Sequence, residues 1–142
     1  MLSVRKASEV DVPYLVSLRV RTMTVHLERA GERLSAEEHE VRARSNFDSC
    51  FLLLLNESPA GMMKLLKTAE YWELAQFQIE PALQSKGLGT KLLAQEIAAA
   101  RQLQIPVRLS VLKENPAKDL YERLGFKVVG EDASAYQMQT EA

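Results

Sequence analysis

The sequence predicts an α/β fold, a central mixed and mostly antiparallel sheet with helices on both faces, and three observations lead there. Short apolar runs and alternating stretches interleave with stretches of helical period in the order strand, helix, helix, three strands, helix, strand, helix, two strands. Two glycines, Gly87 and Gly89, stand where an extended apolar segment gives way to an amphipathic one, so a strand turns into a helix there. The 142 residues, 46% hydrophobic and 26% charged, suit one soluble globular domain over residues 1–142 with a single sizeable core.

Leu2-Ser3-Val4-Arg5 reads as a first strand. Asp11 before Val12-Pro13 starts a helix, with proline in the first turn where its missing N–H costs nothing. That helix runs to about Ala30 with Val12, Leu15, Val16, Leu18 and Thr22 on its apolar side, and Gly31 breaks it. Ser35 and Glu38 form a capping box for a second helix ending near Phe47. Cys50 to Leu55 is a continuous apolar run too short for a typical helix, hence a central strand buried on both faces. Ala60 to Leu66 is its hairpin partner, although a weak period leaves helix open. After Thr68-Ala69-Glu70 comes a strand from Tyr71 to Ile79. Tyr71, Glu73, Ala75, Phe77 and Ile79 share one face and Trp72, Leu74, Gln76 and Gln78 the other, which leaves Glu73 a charge among apolar neighbours.

The helix behind the glycines buries Leu88, Leu92, Leu93, Ile97, Ala99, Ala100 and Leu103 and exposes Lys91, Gln95 and Gln102. Val107 to Leu112 alternates as a strand. Asn115 then caps a helix with Pro116 at its first position, and Gly125-Phe126 closes it as a left-handed cap. This helix is too short to stand alone, so packing through Leu120 and Leu124 holds it. Phe126 to Gly130 and Ala135 to Gln139 read as a closing hairpin.

Charge narrows the function. Eighteen basic and 19 acidic residues are well mixed and leave a net charge of −1, so neither a nucleic-acid stripe nor a polybasic membrane helix is present. No run approaches bilayer length, and the amino terminus lacks the apolar core of a signal peptide, which makes the cytoplasm the expected compartment. Cys50, the single cysteine, reads as a packing residue. His26 and His39 read as solvated, and the spacing after Glu38-His39 excludes a zinc-protease helix. The acidic residues Glu28, Glu32, Glu37, Glu38 and Glu40 alternate with Arg29, Arg33 and Arg42, as on a solvated helix face; a substrate-gathering patch is the minority reading.

The glycine junction, Gln84-Ser85-Lys86-Gly87-Leu88-Gly89-Thr90, has the physics of an anion site, because a helix start offers unpaired N–H groups and the positive end of a dipole. Its spacing fits neither known nucleotide loop. Leu92 stands where a dinucleotide fingerprint needs a third glycine, and no Gly-Lys-Ser/Thr follows at Walker spacing. With Ile79-Glu80-Pro81 ahead of it, the pattern Gln-x-x-Gly-x-Gly resembles the pyrophosphate-binding motif of the GNAT superfamily of acyl-CoA N-acyltransferases. Asn115-Pro116-Ala117-Lys118-Asp119-Leu120-Tyr121-Glu122-Arg123-Leu124-Gly125-Phe126 resembles the same family's second cofactor segment at the expected distance. The two segments cover about the C-terminal half; the N-terminal half resembles the family only in its order of elements.

The resemblance implies a GNAT fold in which the strands before the glycine loop and after its helix splay apart around acetyl-CoA. It implies that the backbone at Gln78 and Ile79 pairs with the pantetheine arm, that Gln84 belongs to the cofactor site, and that Ser85, Lys86, Gly87, Leu88, Gly89 and Thr90 cradle the pyrophosphate. Lys86 adds a point charge there, Lys118 belongs to the cofactor segment, and Asn115 contacts pantetheine or simply caps its helix. The reaction it implies is acetyl transfer to a primary amine by direct attack on the thioester, with no metal and no covalent intermediate. An amine of pKa ~10.4 is neutral in about one molecule per thousand near pH 7.4, a cost of about 4 kcal/mol unless a base takes the proton.

Glu73 falls at the base position of the histone-acetylating members, against the reading of a strand residue that faces solvent or pairs with a lysine. Tyr121 falls at the general-acid position near the coenzyme sulfur, against plain core packing. The N–H of Ile79 meets the oxyanion. Ser110 stands where protein N-terminal members carry glutamate, which favours a small-molecule acceptor over a protein. In the family, the acceptor pocket is built by segments that here are residues 22–46 and 134–139, and they carry no signature. A homodimer is left open. The rival functions are an acyl-CoA-binding sensor on the same fold and a structural domain whose glycine loop is only a turn.

Overall fold

The computed structural model describes the backbone of residues 1–29 and 35–142 and the side chains of residues 1–22 and 35–142. The expected break at Ala30-Gly31, His26, and the charged side chains from Glu28 to Arg33 therefore lie outside the described residues. The elements are β1 (Leu2–Lys6), α1 (Val12–Arg29), α2 (Ala36–Arg44), β2 (Cys50–Leu55), β3 (Ser58–Lys67), β4 (Trp72–Ile79), α3 (Leu88–Gln102), β5 (Val107–Leu112), α4 (Ala117–Arg123), β6 (Lys127–Glu131) and β7 (Ala135–Gln139). Their order is the one the sequence predicts. The strands form one seven-stranded sheet in the order β1-β2-β3-β4-β5-β7-β6. β1/β2, β2/β3, β5/β7 and β6/β7 are antiparallel, while β4/β5 is parallel.

The chain forms two compact units, Met1–Lys64 with Gln76–Gln84 and Leu65–Ala75 with Ser85–Ala142. The first unit has a core of Ala7, Leu15, Leu18, Ala43, Cys50, Leu52 and Met62, with Tyr14, Val16, Phe47 and Leu54 packed against it. Cys50 is fully buried, as a packing residue should be. Helix α1 does not use Asp11 as its cap. A 3-10 turn over Glu9–Asp11 precedes it, and Asp11 folds back to accept the Ser8 amide (2.8 Å) and a fork from Arg5 (2.8 Å to each oxygen). Helix α2 has the expected capping box, Glu38 N–H to Ser35 Oγ at 3.1 Å and Ser35 N–H to Glu38 Oε1 at 3.3 Å. It ends at Arg44 rather than near Phe47, because Ser45 turns to extended backbone.

His39 is buried rather than solvated, since α2 turns it inward with Ala43 one turn on. Strand β2 is interior but one place from the sheet edge, not central, because β1 pairs along its outer side. Strand β3 carries a bulge opposite Leu53/Leu54, and the extra residue, Ala60, turns its carbonyl to accept the Glu80 amide at 2.8 Å. Beside it Gly61 is obligatory: a Cβ there would lie 2.2 Å from the Gln78 carbonyl oxygen.

In the second unit, β5 alternates as predicted, with Val107, Leu109 and Val111 buried and Arg108, Ser110 and Leu112 exposed. Helix α3 buries Leu92, Leu93, Ile97 and Ala100. Ala99 and Leu103 are exposed, contrary to the predicted arc, because they lie at its margin and Leu103 is already past the helix end. Leu120 and Leu124 are only half-buried. Helix α4 is held instead by Tyr121, whose ring meets Phe126 edge-on at 5.7 Å. The left-handed Gly125 (φ +100°) makes that contact available: its amide bonds to Glu122 O and that of Phe126 to Tyr121 O, so the chain turns Phe126 back onto the helix.

Candidate active site

The glycine junction follows a 3-10 turn over Pro81–Leu83. Ser85 (φ +64°) and Gly87 (φ +78°) both take left-handed backbone, and Gly87 is the cap residue of α3 without any side-chain cap. The ladder of α3 opens with Lys91 N–H to Gly87 O at 3.2 Å, so the amides of Leu88, Gly89 and Thr90 have no carbonyl behind them in the helix. Ser85, Lys86, Gly87 and Thr90 are exposed, and nothing lies within 4 Å of where a Gly87 Cβ would stand. Amides unpaired among the described residues, a dipole end, an exposed lysine and open space together make an anion cradle.

The same unit holds Asn115, Lys118, Tyr121 and Glu73. Asn115 Oδ1 accepts the Ala117 amide at 2.9 Å, but α4 begins at Ala117 with Pro116 as its cap residue, so Asn115 stands one place before the expected cap and Pro116 one place before the expected first turn. Lys118 pairs with Glu122 at 3.0 Å, which raises its pKa, and lies 5.0 Å from the Tyr136 ring centroid. Tyr121 is buried, and burial pushes its phenol pKa up, which keeps a proton on the oxygen at neutral pH. Among the described residues its hydroxyl has no hydrogen-bond partner, so the proton is free for a ligand. Glu73 is half-buried on β4, and the parallel ladder places it opposite Arg108. That ladder runs only from Trp72/Val107 to Leu74/Leu109, whereas β4 continues to Ile79 and β5 to Leu112. Ser110 Oγ accepts a bond from Gln137 Nε2 at 3.3 Å.

Gln78, Ile79 and Gln84 belong to the other unit, beside a network that sequence reasoning missed. Gln84 Nε2 donates to the Ile79 carbonyl at 3.1 Å, closing the turn that leads from β4 toward the glycines. Glu80 accepts from Tyr14 Oη at 2.9 Å and from Arg21, tying the end of β4 to α1. The Arg21 hydrogen bond foremost, and then Tyr14, hold the Glu80 carboxyl below the usual carboxylate range. Burial, and then Glu80, push the Tyr14 phenol up. Two further groups in this unit carry no obvious sequence signal: Arg19 is buried with its Nε unpartnered, and Lys64 is buried with its ammonium on the Arg42 carbonyl at 3.0 Å. Desolvation lowers the pKa of both. The one visible hint to this unit's network is a glutamate set between Ile79 and Pro81, at a strand end where a charge needs a partner.

Comparisons with known proteins give the family and the fold. The profile of the acetyltransferase (GNAT) family matches residues 13–126. No curated protein matches the sequence. Among solved structures, an acetyltransferase from Thermus thermophilus superposes with a TM-score of 0.80 at 20% identity, covering 100% of this chain and 97% of its own. The PaiA N-acetyltransferase of Thermoplasma acidophilum, solved in complex with coenzyme A, gives 0.75 at 21% identity over 100% of this chain and 99% of its own. N-acetylglutamate synthase from Neisseria gonorrhoeae, complexed with coenzyme A and N-acetyl-glutamate, gives 0.70 at 21% over 99% of this chain and 35% of its own. The family profile spans most of the chain and the shared fold spans all of it, so this chain belongs to the GNAT acetyltransferase family.

Proposed function

We propose that residues 1–142 work as a single N-acetyltransferase domain that moves the acetyl group of acetyl-CoA to the amine of a small molecule by direct attack on the thioester. The observation that carries this reading is the start of α3, where left-handed Gly87 leaves three successive amides unpaired behind an exposed Lys86. In this reading the pyrophosphate sits on Ser85 through Thr90. Asn115, Lys118 and the backbone of Gln78 and Ile79 border the rest of the coenzyme. The nitrogen of the amine attacks the carbonyl carbon and the C–S bond breaks. Glu73 takes a proton from the nitrogen, the Ile79 amide meets the oxyanion, and Tyr121 returns a proton to the thiolate. A phenol whose hydroxyl has no hydrogen-bond partner among the described residues leaves its proton available for that last role.

Three measurements test it. Acetyl-CoA raises the melting temperature, since a ligand that binds only the folded state stabilises it. Gly89→Glu puts bulk and like charge into the phosphate space and removes that rise while leaving the protein folded. Free thiol appears when acetyl-CoA and an amine panel are added, and Glu73→Gln lowers the rate in a way that recovers as pH approaches the amine's own pKa. Thermal stabilisation without thiol release for any amine would assign the fold to acyl-CoA binding alone. No stabilisation at all would remove the coenzyme from the reading.

A further inference from the structure

Along β4 the neighbours of Glu73 are apolar, but across the strands they are polar and at least partly exposed. Glu73 lies opposite Arg108 in the parallel ladder, and Arg108 lies opposite Gln139 in the antiparallel one, so the three side chains share one face of β4, β5 and β7. Arg108 is exposed, and Glu73 and Gln139 are half-buried. The Arg108 guanidinium rests on the ring of Tyr71, 3.6 Å from its centroid, two residues before Glu73. A guanidinium stacked in this way is held in place by its face while the N–H edges of its fork stay free.

Opposite charges on adjacent strands, about 4.8 Å apart, ordinarily pair. These do not. No ion pair joins Glu73 to Arg108, and neither takes another charged partner among the described residues. A carboxylate and a guanidinium held side by side but unpaired match a ligand that carries both complementary charges a few bonds apart. From this geometry we propose that Arg108 is the specificity-determining residue for the acceptor, and that the acceptor is a free amino acid. Its carboxylate takes the Arg108 fork and its ammonium lies against Glu73.

The inference rests on the acetyltransferase reading and adds a substrate class to it. Of the two protons that the ammonium gives up, one goes to Glu73 and on to water, and the other ends on the coenzyme thiol as the C–N bond forms and the C–S bond breaks. A two-pronged Arg–carboxylate contact on a half-open face discriminates by roughly 10–100-fold. An amine that lacks the carboxylate meets Glu73 alone and forfeits that factor.

The test compares each of a panel of L-amino acids with the amine left by removing its carboxylate, such as leucine with isoamylamine and glutamate with 4-aminobutyrate. In the wild type at least one amino acid exceeds its partner in kcat/KM by about 10–100-fold, mainly through KM. Arg108→Gln collapses that preference and Arg108→Lys restores part of it. Acetyl-CoA affinity by calorimetry stays the same in both variants, and their melting curves check the fold. A wild type without preference for the carboxylate, or a preference that survives in Arg108→Gln, overturns the proposal. Calorimetric titration of the same pairs into the acetyl-CoA-saturated protein separates the two readings. Amino-acid binding that depends on Arg108 without thiol release sustains this site while the acetyltransferase reading fails, and no binding of any amino acid overturns this site whatever the coenzyme does.

Discussion

Replacing Gly61 with alanine tests how tightly the strand that carries the proposed coenzyme contacts is held. The added Cβ would stand 2.2 Å from Gln78 O, 3.0 Å from Ile79 Cα and 3.2 Å from the Gln78 carbonyl carbon. An ordinary carbon–oxygen contact is about 1 Å longer than the first of these, and none of the three atoms can rotate away, since all are backbone. The strands must therefore separate by about 1 Å at this point, where the Ala60 carbonyl also takes the Glu80 amide. Overpacking of this kind costs ~1–3 kcal/mol, and rigid neighbours put it at the upper end, a fall in melting temperature of roughly 6–12 °C for a domain of this length. Urea unfolding followed by circular dichroism measures the first quantity, and thermal melting measures the second. Because the displaced atoms belong to Gln78 and Ile79, the stabilisation by acetyl-CoA should shrink as well. Gly130→Ala is the control: its Cβ would meet the flexible Gln137 side chain alone, Oε1 at 3.4 Å and Cβ at 4.0 Å. If Gly61→Ala melts with the wild type and with Gly130→Ala, the close approach of Gly61 to the Gln78 carbonyl does not exist.

Four further substitutions probe the same structure. Asp11 is held at about 2, from the usual 3.8, chiefly by the Arg5 hydrogen bond, and is nearly buried. The folded value lies below the unfolded one, so about 2 kcal/mol of stability is present above pH 4 and is lost as pH falls through 2. Asp11→Asn should therefore be less stable by about that amount at pH 7 and almost equal to wild type at pH 2; a gap that keeps its size across that range refutes the assignment. Tyr121→Phe should leave stability within about 0.5 kcal/mol, since the hydroxyl has no partner to lose, and should lower kcat near the bottom of the ~10²–10⁴-fold range of general acid catalysis. An unchanged kcat would leave Tyr121 as packing against Phe126. Tyr14→Phe should cost about 1 kcal/mol and Glu80→Gln more, because the latter weakens the contacts with Tyr14 and Arg21 together. The reverse order in urea unfolding would show that Glu80 does not hold the network.

Much of this protein was legible because its signals are local. The alternation of Val107 to Leu112, the Ser35/Glu38 capping box, the left-handed Gly125 and the helix start at Gly87 each depend on residues within one or two turns of each other. The period of the side chains and the chirality of the backbone settle such features wherever they occur. The spacing of the glycines and the Asn115-to-Tyr121 segment led to the GNAT family for the same reason, and the family profile over residues 13–126 bears that out.

Tertiary structure decided the features that arise between distant residues. His39 reads as solvated from its charged neighbours, yet it is buried, because burial depends on what packs against a helix face and not on the next residue along. Leu103 reads as core by its period and is exposed because the helix stops before it. Tyr14 and Glu80, 66 residues apart, have no shared period that could announce their bond. Nor does Gly61 show in the sequence why it must be glycine, since the Gln78 carbonyl that excludes a side chain arrives from another strand. The Glu73 and Arg108 charges, 35 positions apart, become neighbours only through the parallel ladder, and only there does Tyr71 take the guanidinium and leave the two unpaired. A sequence records its periods residue by residue, whereas charge pairing and steric exclusion depend on distances through space, and those exist only once the chain has folded.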